Sequence, residues 1–189
     1  MSKVLVVAAH SDDEFLGTGG IAVKHTNNKD EVRSVIISEG ESLRYGKDVG
    51  QSKATHKAAQ ILGVKQVYSL SFTDQKLDTF SLTDIIAPLE KISGEYMPDI
   101  IYCQSASDAN RDHKILFKAA NIAFRPTDSW IKSFYSSTEW GARNFIPDTW
   151  VDISDTIENK IRAFECYYSE TKPYPHPRSS EALRHQGHF

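Results

Sequence analysis

Residues 4–14 read VLVVAAHSDDE: six apolar residues, Val4 to Ala9, followed without a spacer by a histidine, a serine and three acids. A short, β-branched, uniformly apolar run predicts a strand covered on both faces. Charge placed directly after such a strand predicts a functional loop, because ligands of open parallel sheets bind beyond the carboxyl ends of the strands.

The rest of the chain extends that reading. Strand-like runs recur at Val32 to Ser38, Gln66 to Leu70, Asp99 to Cys103 and Lys132 to Thr138. Between them lie a glycine-spaced segment from Gly17 to Lys24 and helical patterns over residues 51–62, 81–93 and 112–124. In the first helix Ala54, Ala58, Ile61 and Leu62 share one side and Gly63 supplies the stop; in the second, Pro88 predicts a kink or a late start. Strands alternating with helices give right-handed crossovers, so the expected fold is α/β and Rossmann-like, a largely parallel sheet with helices on both faces. A further helix is expected near Asp155 to Tyr167, before the proline-broken KPYPHP at residues 172–177.

A chain of 189 residues fits one domain, here residues 1–189. With 40% hydrophobic and 25% charged residues, and no apolar run near the ~20 residues that span a bilayer, no membrane is implied. Lys3 leads straight into the first strand without the order of a secretory signal, which predicts a cytoplasmic location. A net charge of −3 without a basic block argues against nucleic acid and leaves a small-molecule substrate. Nothing in the composition excludes a homo-oligomer. Cys103 and Cys166, far apart and without a CxxC partner, read as core fillers.

A second polar cluster, DANRDH at residues 108–113, follows the fourth strand and opens a helix. Although His113 lies a hundred residues after Asp13, both loops leave the same sheet edge. Two imidazoles with several carboxylates form a mixed nitrogen and oxygen set that suits zinc or ferrous iron better than magnesium. Adjacent residues of a tight turn cannot all face one ion, so of Asp12 and Asp13 one is expected to ligate and the other to exchange a proton with water. The plainer alternative is that Ser11, Asp12 and Asp13 cap a helix, and that Asp108, Asn110 and Asp112 do the same downstream.

The run AHSDDEFLGTGG, residues 9–20, with a distant Asp-His pair opening a helix, resembles the LmbE-like or PIG-L superfamily of zinc-dependent N-acetylglucosamine deacetylases, whose usual first motif is AHPDDE. The order of elements agrees from Met1 to about Tyr168. The resemblance implies a metallohydrolase that removes an acetyl or other acyl group from an amino sugar or sugar conjugate. It makes His10, Asp13 and His113 the ligands of Zn²⁺, with Fe²⁺ the second candidate, and Asp12 the base. Asp74 then contacts the sugar and Asp112 supports from behind. Three departures bear on this assignment. Ser11 replaces the usual proline. Asn110 stands where relatives carry a histidine that stabilises the oxyanion, a task an amide donor can share. Gln51 and Ala54 replace an Arg-and-Glu pair, with Lys53 or Arg44 as substitutes. Relatives usually continue beyond Arg178 to Phe189, so part of the pocket wall is expected past this segment.

Two other readings compete with it. One is an amidase acting on a non-sugar conjugate. The other is a phosphoacceptor receiver domain built on Asp12, Asp13 and Asp74, which leaves His10 and His113 unexplained and meets Thr138-Glu139-Trp140 where a lysine is expected. His25 and His56, on helices without acidic partners, read as surface residues. His176, His185 and His188 read as surface or substrate-lining residues of an irregular tail. Trp130, Trp140 and Trp150 read as packing residues, with Trp140 also placed to stack on a sugar.

Overall fold

The computed structural model describes residues 1–38, 50–125, 130–134 and 145–186, the strand at 130–134 by its backbone alone. Arg44, Trp140, the Thr138 to Trp140 stretch, His188 and the side chain of Trp130 lie outside the described residues.

Five strands, β1 (Lys3–Ala8), β2 (Glu31–Ser38), β3 (Gln66–Phe72), β4 (Ile100–Gln104) and β5 (Trp130–Phe134), form one parallel sheet in the order β3-β2-β1-β4-β5. Inside β1, Val4 and Val6 join the core on one face while Leu5 and Val7 join the core on the other, as the two-residue period of a strand requires. The first face is covered by α1 (Asp13–Asn27), α2 (Gln51–Leu62), α5 (Ile157–Phe164) and α6 (Ser180–Gln186). The second is covered by α3 (Leu82–Tyr96) and α4 (Arg111–Ala123). The expected α/β architecture with helices on both faces is the one observed.

Strand order decides where a site can form. From β1 the chain winds outward through β2 and β3, then returns to place β4 on the other side of β1. The loops after β1 and β4 therefore diverge from neighbouring strand ends and leave a crevice, the topological switch point of such sheets. HSDDE and DANRDH are those two loops. A receiver domain uses the flavodoxin-like order 2-1-3-4-5, so this sheet does not support that reading.

The glycine-spaced segment proves to be the interior of α1. A Cβ on Gly20 would lie 2.8 Å from Ile153, and one on Gly19 3.1 Å from Lys160, so the missing side chains let the C-terminal part of the chain seat against this helix. Thr156 Oγ1 donates to the Gly20 carbonyl at 2.9 Å across the same contact. Helix α3 starts at Leu82 with a capping box between Ser81 and Asp84, so Pro88 does not delay it.

Several expectations need correction. Ile61 is 36% exposed rather than part of the α2 core face, whose buried apolar residues are Ala54, Ala58, Ala59 and Leu62. Trp150 is 73% exposed: it sits in a stretch that forms no helix or strand to pack it. Cys103 is fully buried, but Cys166 only edges the core. His25 has an acidic partner after all, because the turn ending α1 brings Asp30 back to its Nδ1 at 2.9 Å. His56 is exposed, as expected.

Candidate active site

The chain leaves β1 at Ala8 and reaches the N-terminus of α1 within a few residues, which places His10, Asp12 and Asp13 on a tight turn. Asp12 is the N-cap of α1, with φ 101°, a backbone region that non-glycine residues rarely occupy. Its side chain makes no capping hydrogen bond. The helix-cap reading therefore fails for Asp12, while it holds for Asn110, whose side chain accepts from the Asp112 N–H at 2.8 Å to open α4.

Three side chains converge at the switch point. His10 Nδ1 lies 3.0 Å from Asp13 Oδ2, His113 Nε2 lies 3.0 Å from the same oxygen, and the two ring nitrogens are 3.2 Å apart. Donor atoms around a tetrahedral ion at zinc-like bond lengths stand about 3.3 to 3.5 Å from one another. These three atoms thus form a slightly contracted face of such a tetrahedron, and their nitrogen and oxygen character fits the ion that the first motif implies.

Further groups hold this face in place. His113 Nδ1 pairs with Asp108 Oδ2 at 2.8 Å, which turns Nε2 toward the centre, the carboxylate–histidine arrangement usual behind metal-binding imidazoles. Gln104, at the end of β4, donates to Asp13 Oδ2 at 2.8 Å and accepts from the Ala9 N–H at 2.8 Å, tying β1 and β4 together at the crevice. Behind His10, Nε2 stands 3.3 Å from both Asp74 Oδ1 and Asp112 Oδ2, and Asp112 also accepts from Leu77 N–H at 3.2 Å. Asp74 is thus buried against His10 rather than standing alone in the pocket.

The electrostatics follow from so many acids around two imidazoles. Burial disfavours protonated His10, but hydrogen bonds to Asp112 and Asp13 and the charges of Asp13 and Asp74 outweigh it and carry its pKa up to about 10. Burial works against protonated His113 too, and is overcome by Asp13 and Asp108, which push it up to about 9. The Asp13 carboxyl, despite burial, is held well below its ordinary range by the two imidazoles. Protons here balance charge that a divalent cation would otherwise balance.

Asp12 faces a different set of groups. Burial, then the Asp13 charge, push its carboxyl up to about 7, against the pull of the nearby Arg178 guanidinium. That value suits a group that takes and returns a proton near neutrality. Its N–H donates to Glu14 Oε2 at 2.8 Å, and the other Glu14 oxygen accepts from the Tyr167 hydroxyl. Burial pushes Glu14 up to about 8.

All seven residues singled out from the sequence (His10, Asp12, Asp13, Asp74, Asn110, Asp112 and His113) lie at this one end of the sheet. Gln104, Tyr167, Glu170 and Arg178 were missed as parts of it, and Asp108 and Glu14, inside the two polar clusters, had no role assigned. Glu14 carried a signal: a third acid in HSDDE with no task, next to a buried strand, requires a buried partner. The C-terminal partners carried none, since no spacing rule links them to the first loop.

The family model described as PIG-L, GlcNAc-PI de-N-acetylase, matches residues 5–124. The uncharacterized deacetylase YaiS of Escherichia coli K12 is 26% identical over 157 residues, covering 80% of this chain and 82% of YaiS. The diacetylchitobiose deacetylase of Thermococcus kodakarensis is 25% identical over 190 residues, covering 90% of this chain and 70% of that protein. Among solved structures, GalB of Pseudomonas putida KT2440, a 4-carboxy-2-hydroxymuconate hydratase, superposes with a TM-score of 0.74 at 20% identity over 98% of this chain and 84% of its own. The fold therefore also carries a hydratase.

Proposed function

The chain belongs to the PIG-L family of GlcNAc-PI de-N-acetylases, and on that premise we propose that it is a metal-dependent hydrolase that removes the N-acetyl group from an N-acetylglucosamine-type sugar or sugar conjugate. The observation that carries the reading is the convergence of His10 Nδ1, Asp13 Oδ2 and His113 Nε2 within 3.0 to 3.2 Å, with the Asp12 carboxyl on the adjoining residue. Their donor chemistry favours Zn²⁺, then Fe²⁺.

A divalent ion held by His10, Asp13 and His113 would supply Lewis acidity toward the acetyl carbonyl and would lower the pKa of a water from 15.7 to about 7. The remaining chemistry falls to side chains. Asp12 accepts the water's proton as its oxygen adds to the acetyl carbon. Asn110, whose Oδ1 is committed to the α4 cap, has its NH₂ left to donate to the oxygen that becomes negative. Asp12 then returns the proton to the sugar nitrogen as the C–N bond breaks, releasing acetate and a free amine. Asp112 and Asp74 hold the ring of His10 through Nε2, and the contact of Asp74 with the sugar is part of this proposal.

The test is amine release from N,N′-diacetylchitobiose and N-acetylglucosamine by the zinc-loaded protein, before and after removal of the metal with a chelator. Asp12→Asn should retain zinc and lower kcat by on the order of 10² to 10⁴. A fully active Asp12→Asn protein would remove Asp12 from the role of base, and release that is indifferent to chelation would remove the metal.

A further inference from the structure

KPYPHP and the arginine after it have no task in the chemistry above. The structure gives this segment a defined shape. The Lys172 N–H donates to the Arg178 carbonyl at 3.1 Å, closing the intervening residues into a loop, and the Arg178 N–H donates to His176 Nδ1 at 3.1 Å. The side chain so presented reaches back to the first loop of the protein. Arg178 Nη1 lies 2.9 Å from Asp12 Oδ2 and 2.8 Å from Glu170 Oε2. Glu170 is buried in turn, and its other oxygen accepts from Gln51 Nε2 at 3.4 Å.

We propose that Arg178 is a positioning residue for Asp12: held by Glu170 and the 172–178 loop, its guanidinium fixes Oδ2 of the Asp12 carboxylate and leaves Oδ1 to serve as the proton acceptor. The inference rests on the reading of Asp12 as the base. Geometry supports it in three ways. Asp12 makes no capping bond that would set its rotamer, so a contact from elsewhere has to do so. The backbone of Asp12 is already fixed by Glu14, which leaves the side-chain torsions as its remaining freedom. Glu170 supplies a second carboxylate to the same Nη1, so the guanidinium has an anchor outside the first loop. A short carboxylate whose angle to the water varies loses proton-transfer efficiency steeply, since displacement near 1 Å costs on the order of a hundredfold.

The experiment uses the zinc-loaded full chain and the more active of the two chitin-derived substrates named above. Arg178→Met is expected to lower kcat by on the order of a hundredfold with KM within about twofold and zinc content unchanged. Added guanidinium ion should restore part of that loss, and Arg178→Lys, a point charge without the planar fork, should fall between. In an Asp12→Asn background the Arg178→Met change should have no further effect, because a residue acting through Asp12 has nothing left to position. Independent losses in the double variant, or a rise in KM at unchanged kcat, would overturn the proposal. A crystal structure of Arg178→Met gives a readout that needs no turnover: the Asp12 carboxylate should leave its wild-type rotamer, and an unmoved carboxylate would also overturn it. Full activity of Asp12→Asn alone would instead strike the reading of the base.

Discussion

Two histidines at opposite ends of the sheet make an instructive pair. His10 and His25 have almost equally buried side chains, 13% and 14% exposed, and each sets Nδ1 against an aspartate, Asp13 at 3.0 Å and Asp30 at 2.9 Å. They differ at Nε2. His25 meets the Tyr102 hydroxyl at 3.0 Å, and Asp30 takes the Ser2 N–H as well, so donors and acceptors are matched and the set is closed. His10 Nε2 meets two further carboxylates as well as the Gln75 amide nitrogen at 3.0 Å, and Nδ1 lies within reach of a second imidazole. More carboxylates than one ring can donate to set His10 apart from His25, and under the function proposed above a cation would take up that surplus.

The comparison breaks most directly under paired truncation. His113→Ala should lower zinc affinity by more than the 10- to 100-fold that loss of a supporting partner costs, read by metal analysis after dialysis. His25→Ala should leave zinc content untouched, and equal losses in both would dissolve the distinction. Asp108→Asn removes only the charge behind His113 Nδ1 and should cost about 10- to 100-fold in zinc affinity.

The contrast also has a pH signature. In the metal-free protein the folded-state pKa of His10 is near 10 and that of His113 near 9, both above the ordinary value of 6.5. A raised folded pKa contributes stability that is complete below pH 6.5 and fades as pH climbs through 9 and 10. Asp12 and Glu14, raised to about 7 and 8, act in the same direction at lower pH, while the depressed Asp13 matters only in acid. Thermal melts of the zinc-free protein should therefore show Tm falling from pH 6 to pH 10. Added zinc should raise Tm more at the alkaline end, because the ion replaces protons. A metal-free Tm that is flat or rising over that range would count against this balance of charge. The smallest effect belongs to His25→Phe, which leaves Tyr102 and Asp30 short of a partner and should cost about 1 to 3 kcal/mol of stability at unchanged kcat.

The sequence made the meeting of His10, Asp13 and His113 legible because these residues follow strands. A strand end is visible as the point where an apolar run stops, and HSDDE and DANRDH mark two of them. The strand order was not visible, since alternation of β and α patterns is the same for several windings, and without it the meeting of the two loops was an expectation rather than a necessity. Asp108 has the local signal of a turn residue, so its own role inside DANRDH is not legible. Its pairing with His113 depends on how α4 leaves the turn. Arg178 and Glu170 belong to a segment whose only local signal was its prolines, and nothing in that signal points across the fold to Asp12.

The positive φ at Asp12 has a consequence for anyone who would engineer this protein. A backbone held in a region suited to glycine costs of order 1 to 3 kcal/mol, so Asp12→Gly should raise the melting temperature while it abolishes turnover. Selection for heat resistance alone would drift toward glycine at this position, and variants recovered that way would be sturdy, zinc-laden and inert.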